Sequence, residues 1–401
     1  MSASDPWHRA LADLVSRSHR LPPDELPVAV DDVLRPLGVT STLYLVDVEQ
    51  RTLRPLPGSG GPPAEPLSID SSLAGRAFTQ VEVHVGHGPP PRLWVPIVNG
   101  TDRLGLLEVY ATAGADLADE TLWDGCRLIA GLVGHLVTSK SSYGDCLQRA
   151  RRSRPMEVSA ELLWNLLPPL TFATADTTIN ALLEPAYEVG GDAFDYALNG
   201  GTISLAILDG VGHGLPAVLT TSVALGTLRA ARRAGADLTA TARAIDEAIA
   251  GMWSDSRFVT GVLAEFDTRT GLLRYVEAGH PPPVVLRRGR AVRTLTGARR
   301  LPLGLGDERG AVAEAQLEPG DRLLLHTDGV TEARDAAGEM FGLSRLADLA
   351  ERQITSGLPG AEILRRLTHA VAAHRDAAFA GDDATLMLIE WSAAAAEGSE
   401  P

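Results

Sequence analysis

The chain has 401 residues, of which 45% are hydrophobic, and carries a formal net charge of −15. It is long enough for two or three domains and too apolar for a disordered chain. The acidic balance, with no long basic stripe, excludes nucleic acid as the main partner and suits a soluble protein better than one held on an anionic membrane.

The first predicted element is a helix from Trp7 to His19, with Leu11, Leu14 and Val15 on one face. Thr40 to Val48 alternates as a strand, and Arg51 to Leu56 can pair with it. Pro62-Pro63, Pro66 and Pro89-Pro90-Pro91 mark irregular loops. Val81 to Val85 and Arg92 to Val98 are extended. Asn99-Gly100 is a strong turn signal, so Arg103 to Tyr110 returns as the second arm of a hairpin. A long helix follows from Asp119 to beyond Thr138. Ser139 to Leu170 reads as helical, with a basic stretch from Arg149 to Arg154 expected to be a solvated face. Pro155 interrupts it, and Val158 to Leu167 resumes before Pro168-Pro169. Only two cysteines occur, Cys126 and Cys146, with no metal-ligand spacing, as in a reduced cytoplasmic protein. Met1 to Pro6 lacks a signal-peptide pattern, and no run reaches the roughly 18 to 20 apolar residues of a membrane span.

The second half places four aspartates in glycine-rich settings beside apolar runs. Thr202 to Leu208 is β-prone and ends at Asp209, and Asp321 to Thr327 ends at Asp328. Ala384 to Trp391 begins just after Asp382 and Asp383, and Asp192 closes Val189-Gly190-Gly191-Asp192. Between them lie helices Pro216 to Arg233 and Leu238 to Met252, strands Phe258 to Asp267 and Leu272 to Glu277, and a last helix Ala361 to Ala378. In an antiparallel pair the end of one strand lies beside the start of its neighbour, so aspartates after two strands and before a third can share an edge. The strands are apolar on both faces, as in a layered core. Oxygen-only ligands select Mg²⁺ or Mn²⁺ over zinc. Gly210 and Gly329 leave room for a sharp turn and for a carbonyl to approach an ion.

Six motifs in order resemble the bacterial SpoIIE/RsbU-like branch of the PPM serine/threonine phosphatases. They are Glu184 to Tyr196, Asp209 to Ala217, Ala278 to Pro283, Leu301 to Leu305, Gly320 to Ala333, and Gly381 to Thr385. The resemblance runs from near Leu162 to near Trp391. It implies an α+β protein whose C-terminal region is an α-β-β-α sandwich holding two Mn²⁺ or Mg²⁺ ions, with attack by a water activated between them. By position, Asp209 resembles the carboxylate that bridges both ions, with the Gly210 carbonyl on one of them. Asp328 and Asp382 resemble ligands of the other. Asp192 resembles the acidic residue on the opposite side of the pair, and Asp383 the position supporting the ligands. The implied substrate is a phosphoserine or phosphothreonine protein, an anti-sigma-factor antagonist by class.

The hairpin Leu93 to Val109 and the elements around it resemble a GAF sensory domain; a PAS domain and a ligand-free α/β dimerisation domain are the alternatives. The expected organisation is a GAF-like sensor at 1–140, a helical linker at 141–170 that pairs protomers in a homodimer, a phosphatase domain at 171–393 and a disordered tail at 394–401. A small-molecule or protein signal would act on the first domain. His213 and His280 could donate a proton to a leaving group, but both read better as loop histidines beside Gly and Pro turns. His84 and His87 read as an exposed loop, and Trp94 and Trp123 as core. Two other functions compete: a phosphatase-fold regulator that binds partners without turnover, against which intact carboxylates speak, and a metal-dependent nuclease, against which the acidic charge speaks.

Overall fold

The structure is a computed structural model that describes residues 5–58, 64–112, 115–253, 257–307, 312–376 and 382–392. The expected tail 394–401 lies outside them. Two compact units divide the chain, Met1–Pro155 and Met156–Pro401. Among the described residues no helix is long and apolar enough to cross a membrane.

The first unit is α/β. Its elements are α1 (Pro6–Ser18), α2 (Leu26–Leu34), β1 (Val39–Val46), β2 (Thr52–Pro55), β3 (Leu67–Ser68), α3 (Leu73–Gln80), β4 (His84–Gly86), β5 (Arg92–Asn99), β6 (Asp102–Ala111), α4 (Glu120–Lys140) and α5 (Cys146–Ala150). The strands form one antiparallel sheet in the order β3-β2-β1-β6-β5-β4. Alternation along β1 serves two cores. Leu43 and Leu45 pack with α1, α2 and α4, whereas Tyr44 and Val46 pack with Ala74, Ala77 and Phe78 of α3. The β5–β6 turn is carried by Gly100 at φ +61°. Sequence reading missed α2 and α3. In α2 the proline-rich approach hides the helix, yet Pro27 lies in the first turn, where the missing N–H is not needed.

The segment 141–170 is shared out. Here α5 belongs to the first unit: Arg54 Nε donates to the Ala150 carbonyl at 2.9 Å, and Arg151 Nε to the Val46 carbonyl at 3.0 Å. Arg151 is therefore an anchor, which corrects the expectation of a wholly solvated basic face. The next helix, α6 (Val158–Leu166), buries Ala160 and Leu163 in the second unit.

The second unit continues with β7 (Thr171–Ala173), β8 (Thr177–Glu184), β9 (Asp192–Asn199), β10 (Thr202–Gly210), α7 (Leu215–Arg233), α8 (Leu238–Met252), β11 (Val259–Asp267), β12 (Leu272–Ala278), β13 (Val284–Arg287), β14 (Arg290–Thr294), β15 (Arg299–Arg300), β16 (Ala313–Gln316), β17 (Arg322–His326), α9 (Asp328–Thr331), α10 (Leu343–Thr355), α11 (Gly360–His374) and β18 (Ala384–Trp391). One sheet runs β15-β12-β11-β10-β9, with β16 also on β12; the other runs β14-β13-β17-β18-β8-β7. Ile203, Leu205 and Ile207 of β10 meet Leu323 and Leu325 of β17 and Met387 and Ile389 of β18 between the sheets. The opposite faces are covered by helices. Ala206 and Leu208 pack under α7 and α8, and Leu324, Leu386 and Leu388 under α10 and α11. Strands covered on both sides are why their sequences are apolar throughout. The result is the expected α-β-β-α sandwich.

Candidate metal centre

Antiparallel pairing assembles the acidic residues at one edge of each sheet. Asp192, the first residue of β9, is the register partner of Asp209 near the end of β10. In the other sheet His326, the last residue of β17, pairs with Leu386 of β18, so Asp328 emerges beside the residues that precede β18, Asp382 and Asp383. Two hydrogen bonds tie these edges together across the sandwich. Thr327 Oγ1 donates to Asp192 Oδ2 at 2.7 Å, and the Gly190 N–H donates to Asp383 Oδ2 at 2.5 Å. Thr327 Oγ1 also accepts the Thr385 N–H at 2.9 Å.

Glycines are needed where backbones touch. A Cβ on Gly329 would lie 1.8 Å from the Asp383 carbonyl oxygen, and one on Gly191 would lie 2.4 Å from the Gly210 carbonyl oxygen. The loop from Asp209 to α7 turns on Gly212 and Gly214, at φ +91° and +69°. His213 on that loop is exposed.

The carboxylates differ in depth. Asp192 and Asp383 are buried, Asp209 and Asp328 are half-buried, and Asp382 is exposed. Burial raises the Asp209 carboxyl to about 7, and the charges of Asp328, Asp382 and Asp383 add to the rise. Asp192 is also raised, by burial and then by Asp209 and Asp383. Asp328 is raised by burial and by Asp382. Burial lifts Asp383 to about 7, against the Gly190 and Asp192 N–H groups that favour its charged form. Such a cluster repels itself, and a divalent cation would remove the repulsion. Among the described residues no group of three or more His, Cys, Asp or Glu side chains is drawn together closely enough to hold a metal ion. An open, all-oxygen cluster fits Mg²⁺ or Mn²⁺, which keep several waters and need few protein carboxylates.

Several residues at the site were not found from the sequence. Thr260 of β11 is the register partner of Asp209. Its Oγ1 is 2.9 Å from Nδ1 of His280, which lies in the loop after β12 as expected but is buried and bonded to a side chain. Burial and the nearby His326 push the His280 imidazole down to about 3, so it stays neutral and is no proton donor near pH 7. Arg375, after α11, donates to the Gly329 carbonyl at 3.2 Å. Only the strand register could have signalled Thr260, and nothing local signals Arg375. Leu301 to Leu305 does structural work: Leu303 pairs with Val259 at the start of β11, and Asp246 of α8 accepts the Gly304 N–H at 2.7 Å.

The family model described as Stage II sporulation protein E (SpoIIE) matches residues 199–392. The C-terminal half of the chain is a SpoIIE-type domain. Asp209, Asp328 and Asp382 lie within the matched residues of this SpoIIE-type domain, and Asp192 lies just before them. The chain is 25% identical over 184 residues to "Phosphoserine phosphatase RsbU" of Bacillus subtilis, covering 46% of this chain and 55% of that protein. It is 29% identical over 146 residues to "Stage II sporulation protein E" of Priestia megaterium, covering 36% of this chain and 25% of that protein. The chain thus spans about half the length or less of these curated relatives. A solved structure, the SiaA-PP2C domain of Pseudomonas aeruginosa, is 24% identical with a TM-score of 0.49, covering 64% of this chain and 100% of that one.

Proposed function

We propose that the chain is a metal-dependent protein serine/threonine phosphatase of the PPM type. The observation that carries this reading is the convergence of Asp192, Asp209, Asp328 and Asp382 on one edge of a sandwich, with burial and mutual repulsion raising three of the four. Asp209, the Gly210 carbonyl, Asp328, Asp382 and Asp192 would hold two Mn²⁺ or Mg²⁺ ions. When bound, the ion pair supplies Lewis acidity and an activated water for in-line attack on phosphorus. The chain's own task is to hold its carboxylates in place. Asp383 does this for the Gly190–Asp192 turn, and Thr327 for Asp192. The second unit has no cysteine of its own to act as a nucleophile: Cys126 and Cys146 both belong to the first unit.

The substrate class we propose is a phosphorylated anti-sigma-factor antagonist, in keeping with the phosphoserine phosphatase named among the relatives. We further propose that the first unit is a GAF-like sensor, that residues 141–170 mediate a homodimer, and that the protein works in the cytoplasm. Phosphate release from a phosphoserine protein in Mn²⁺, with and without EDTA, tests the activity. The same assay on a fragment starting at Met156 tests the sensor: control by the first unit changes the rate, and an unchanged rate and metal affinity remove it. A chain that binds Mn²⁺ and the phosphoprotein without turnover would instead be a regulator that works by docking.

A further inference from the structure

We propose that His280 is a positioning residue for Asp209, acting through the Thr260 hydroxyl with the imidazole proton on Nδ1. The proposal rests on the reading of Asp209 given above. Three adjacent strands bring the residues into a row. Asp209 of β10 pairs with Thr260 of β11, and Gly261 of β11 pairs with Ala278, the last residue of β12. Gly279, at φ +64°, then turns the chain so that His280 lies back against Thr260; a side chain at 279 would strike Pro302. The His280 Nδ1 to Thr260 Oγ1 separation is 2.9 Å. Thr260 is the register partner of Asp209 on the adjacent strand, which puts its hydroxyl beside the Asp209 carboxyl, whose charged form it favours.

A hydroxyl has one proton to give. If Thr260 donates it to Asp209, the oxygen must accept from His280, which places the imidazole proton on Nδ1 and leaves Nε2 bare. His280 Nε2 is buried and has no hydrogen-bond partner. No acceptor lies within hydrogen-bond distance of Nε2, so a proton there would be unsatisfied unless the ring turned toward the nearby His326 backbone, and a bare Nε2 suits the ring as it stands. The competing arrangement puts the proton on Nε2, toward the His326 backbone, and turns the Thr260 hydroxyl proton away from Asp209. Burial keeps the ring neutral, so one tautomer can persist through the working pH range. A ligand carboxylate fixed by an outer hydrogen bond loses less freedom when an ion arrives, and such outer partners affect metal affinity strongly.

Two measurements decide the matter. Nitrogen-15 NMR of the metal-free full-length protein, with the His280 signals assigned by comparison with His280→Asn, should show Nδ1 protonated and Nε2 bare. The Nε2–H tautomer overturns the proposal. Mn²⁺ titration by calorimetry then reads the consequence without any need for turnover. Thr260→Val and His280→Phe should each weaken Mn²⁺ binding about 10-fold, as loss of an outer-shell partner does. Thr260→Ser and His280→Asn, which keep a hydroxyl and a donor near Nδ1, should stay close to wild type. The double variant should bind about as weakly as either single one, since both break one path. Wild-type affinity in a Thr260→Val protein with a cooperative thermal melt also overturns it. If the wild type binds no Mn²⁺, the metal-centre reading fails, and the tautomer alone then decides whether His280 donates to Thr260.

Discussion

The Asp383 carbonyl oxygen lies 1.8 Å from where a Cβ on Gly329 would stand, so the turn after Asp328 and the approach to β18 fit together only because residue 329 is glycine. Gly329→Ala must push the two segments apart. Overpacking of this kind costs about 1 to 3 kcal/mol. The expected result is a lower melting temperature together with weaker Mn²⁺ binding, since Asp328 and Asp382 flank the contact. A variant with wild-type stability and affinity would show that the two segments can separate freely.

Thr327 joins the two sheets through one hydroxyl, accepting from the Thr385 N–H and donating to Asp192. Thr327→Val keeps the shape and takes this partner from the buried Thr385 N–H and from one Asp192 oxygen. The expected loss is about 1 to 3 kcal/mol in a urea melt. Thr327→Ser should restore most of it. Little loss in Thr327→Val together with a larger one in Thr327→Ser would point to packing of the methyl group instead of the hydroxyl.

Much of this was readable from the chain. Asp328 and Asp382 stand at the ends of paired strands, which antiparallel pairing brings together as expected; Asp209 does not share their edge, since it lies in the other sheet beside Asp192 and comes near them only because the two sheets stack. Helix α8 runs from Leu238 to Met252, as the spacing predicts, and the α4 and β5–β6 elements follow their periodicity and turn signal. The supporting contacts were not readable. Thr327 meets Asp192 across 135 positions of sequence, and Gly190 meets Asp383 across 193. No local pattern encodes such pairs. His280 shows the same limit: beside Gly279 and three prolines it looks like a loop residue, and only the register of β10, β11 and β12 puts it in the interior.

The buried neutral His280 makes stability depend on acid. Its folded value is held at about 3, below the ordinary histidine value of 6.5, so the unfolded chain binds the extra proton as pH falls through 6.5. Stability from this group is therefore present above pH 6.5 and drains away below it. Between pH 7.5 and pH 5 the loss is roughly 2 kcal/mol. The Asp209 and Asp383 carboxyls, raised to about 7, act with the opposite sign in wild type and variant alike, so the test is a difference: in urea melts at both pH values the wild type should lose about 2 kcal/mol relative to His280→Asn. Identical slopes would mean that His280 is not held neutral in the fold.

Cys126 is buried in the first unit, and burial pushes its thiol up to about 12. A thiol in that state carries almost no thiolate at neutral pH. A disulfide-exchange reagent should modify one thiol in the native protein, Cys146, and two after denaturation. Cys126→Ala combined with Cys146→Ser should keep phosphatase activity. Fast modification of Cys126 in the native protein would contradict its burial.

The most direct test of the metal centre is phosphate release from a phosphoserine protein by purified wild type, Asp209→Asn and Asp328→Asn, in Mn²⁺ and after EDTA. The account predicts turnover by the wild type in Mn²⁺, none after EDTA, recovery when Mn²⁺ is returned, and background rates from both folded variants. EDTA-resistant turnover, or full activity in either variant, would contradict it.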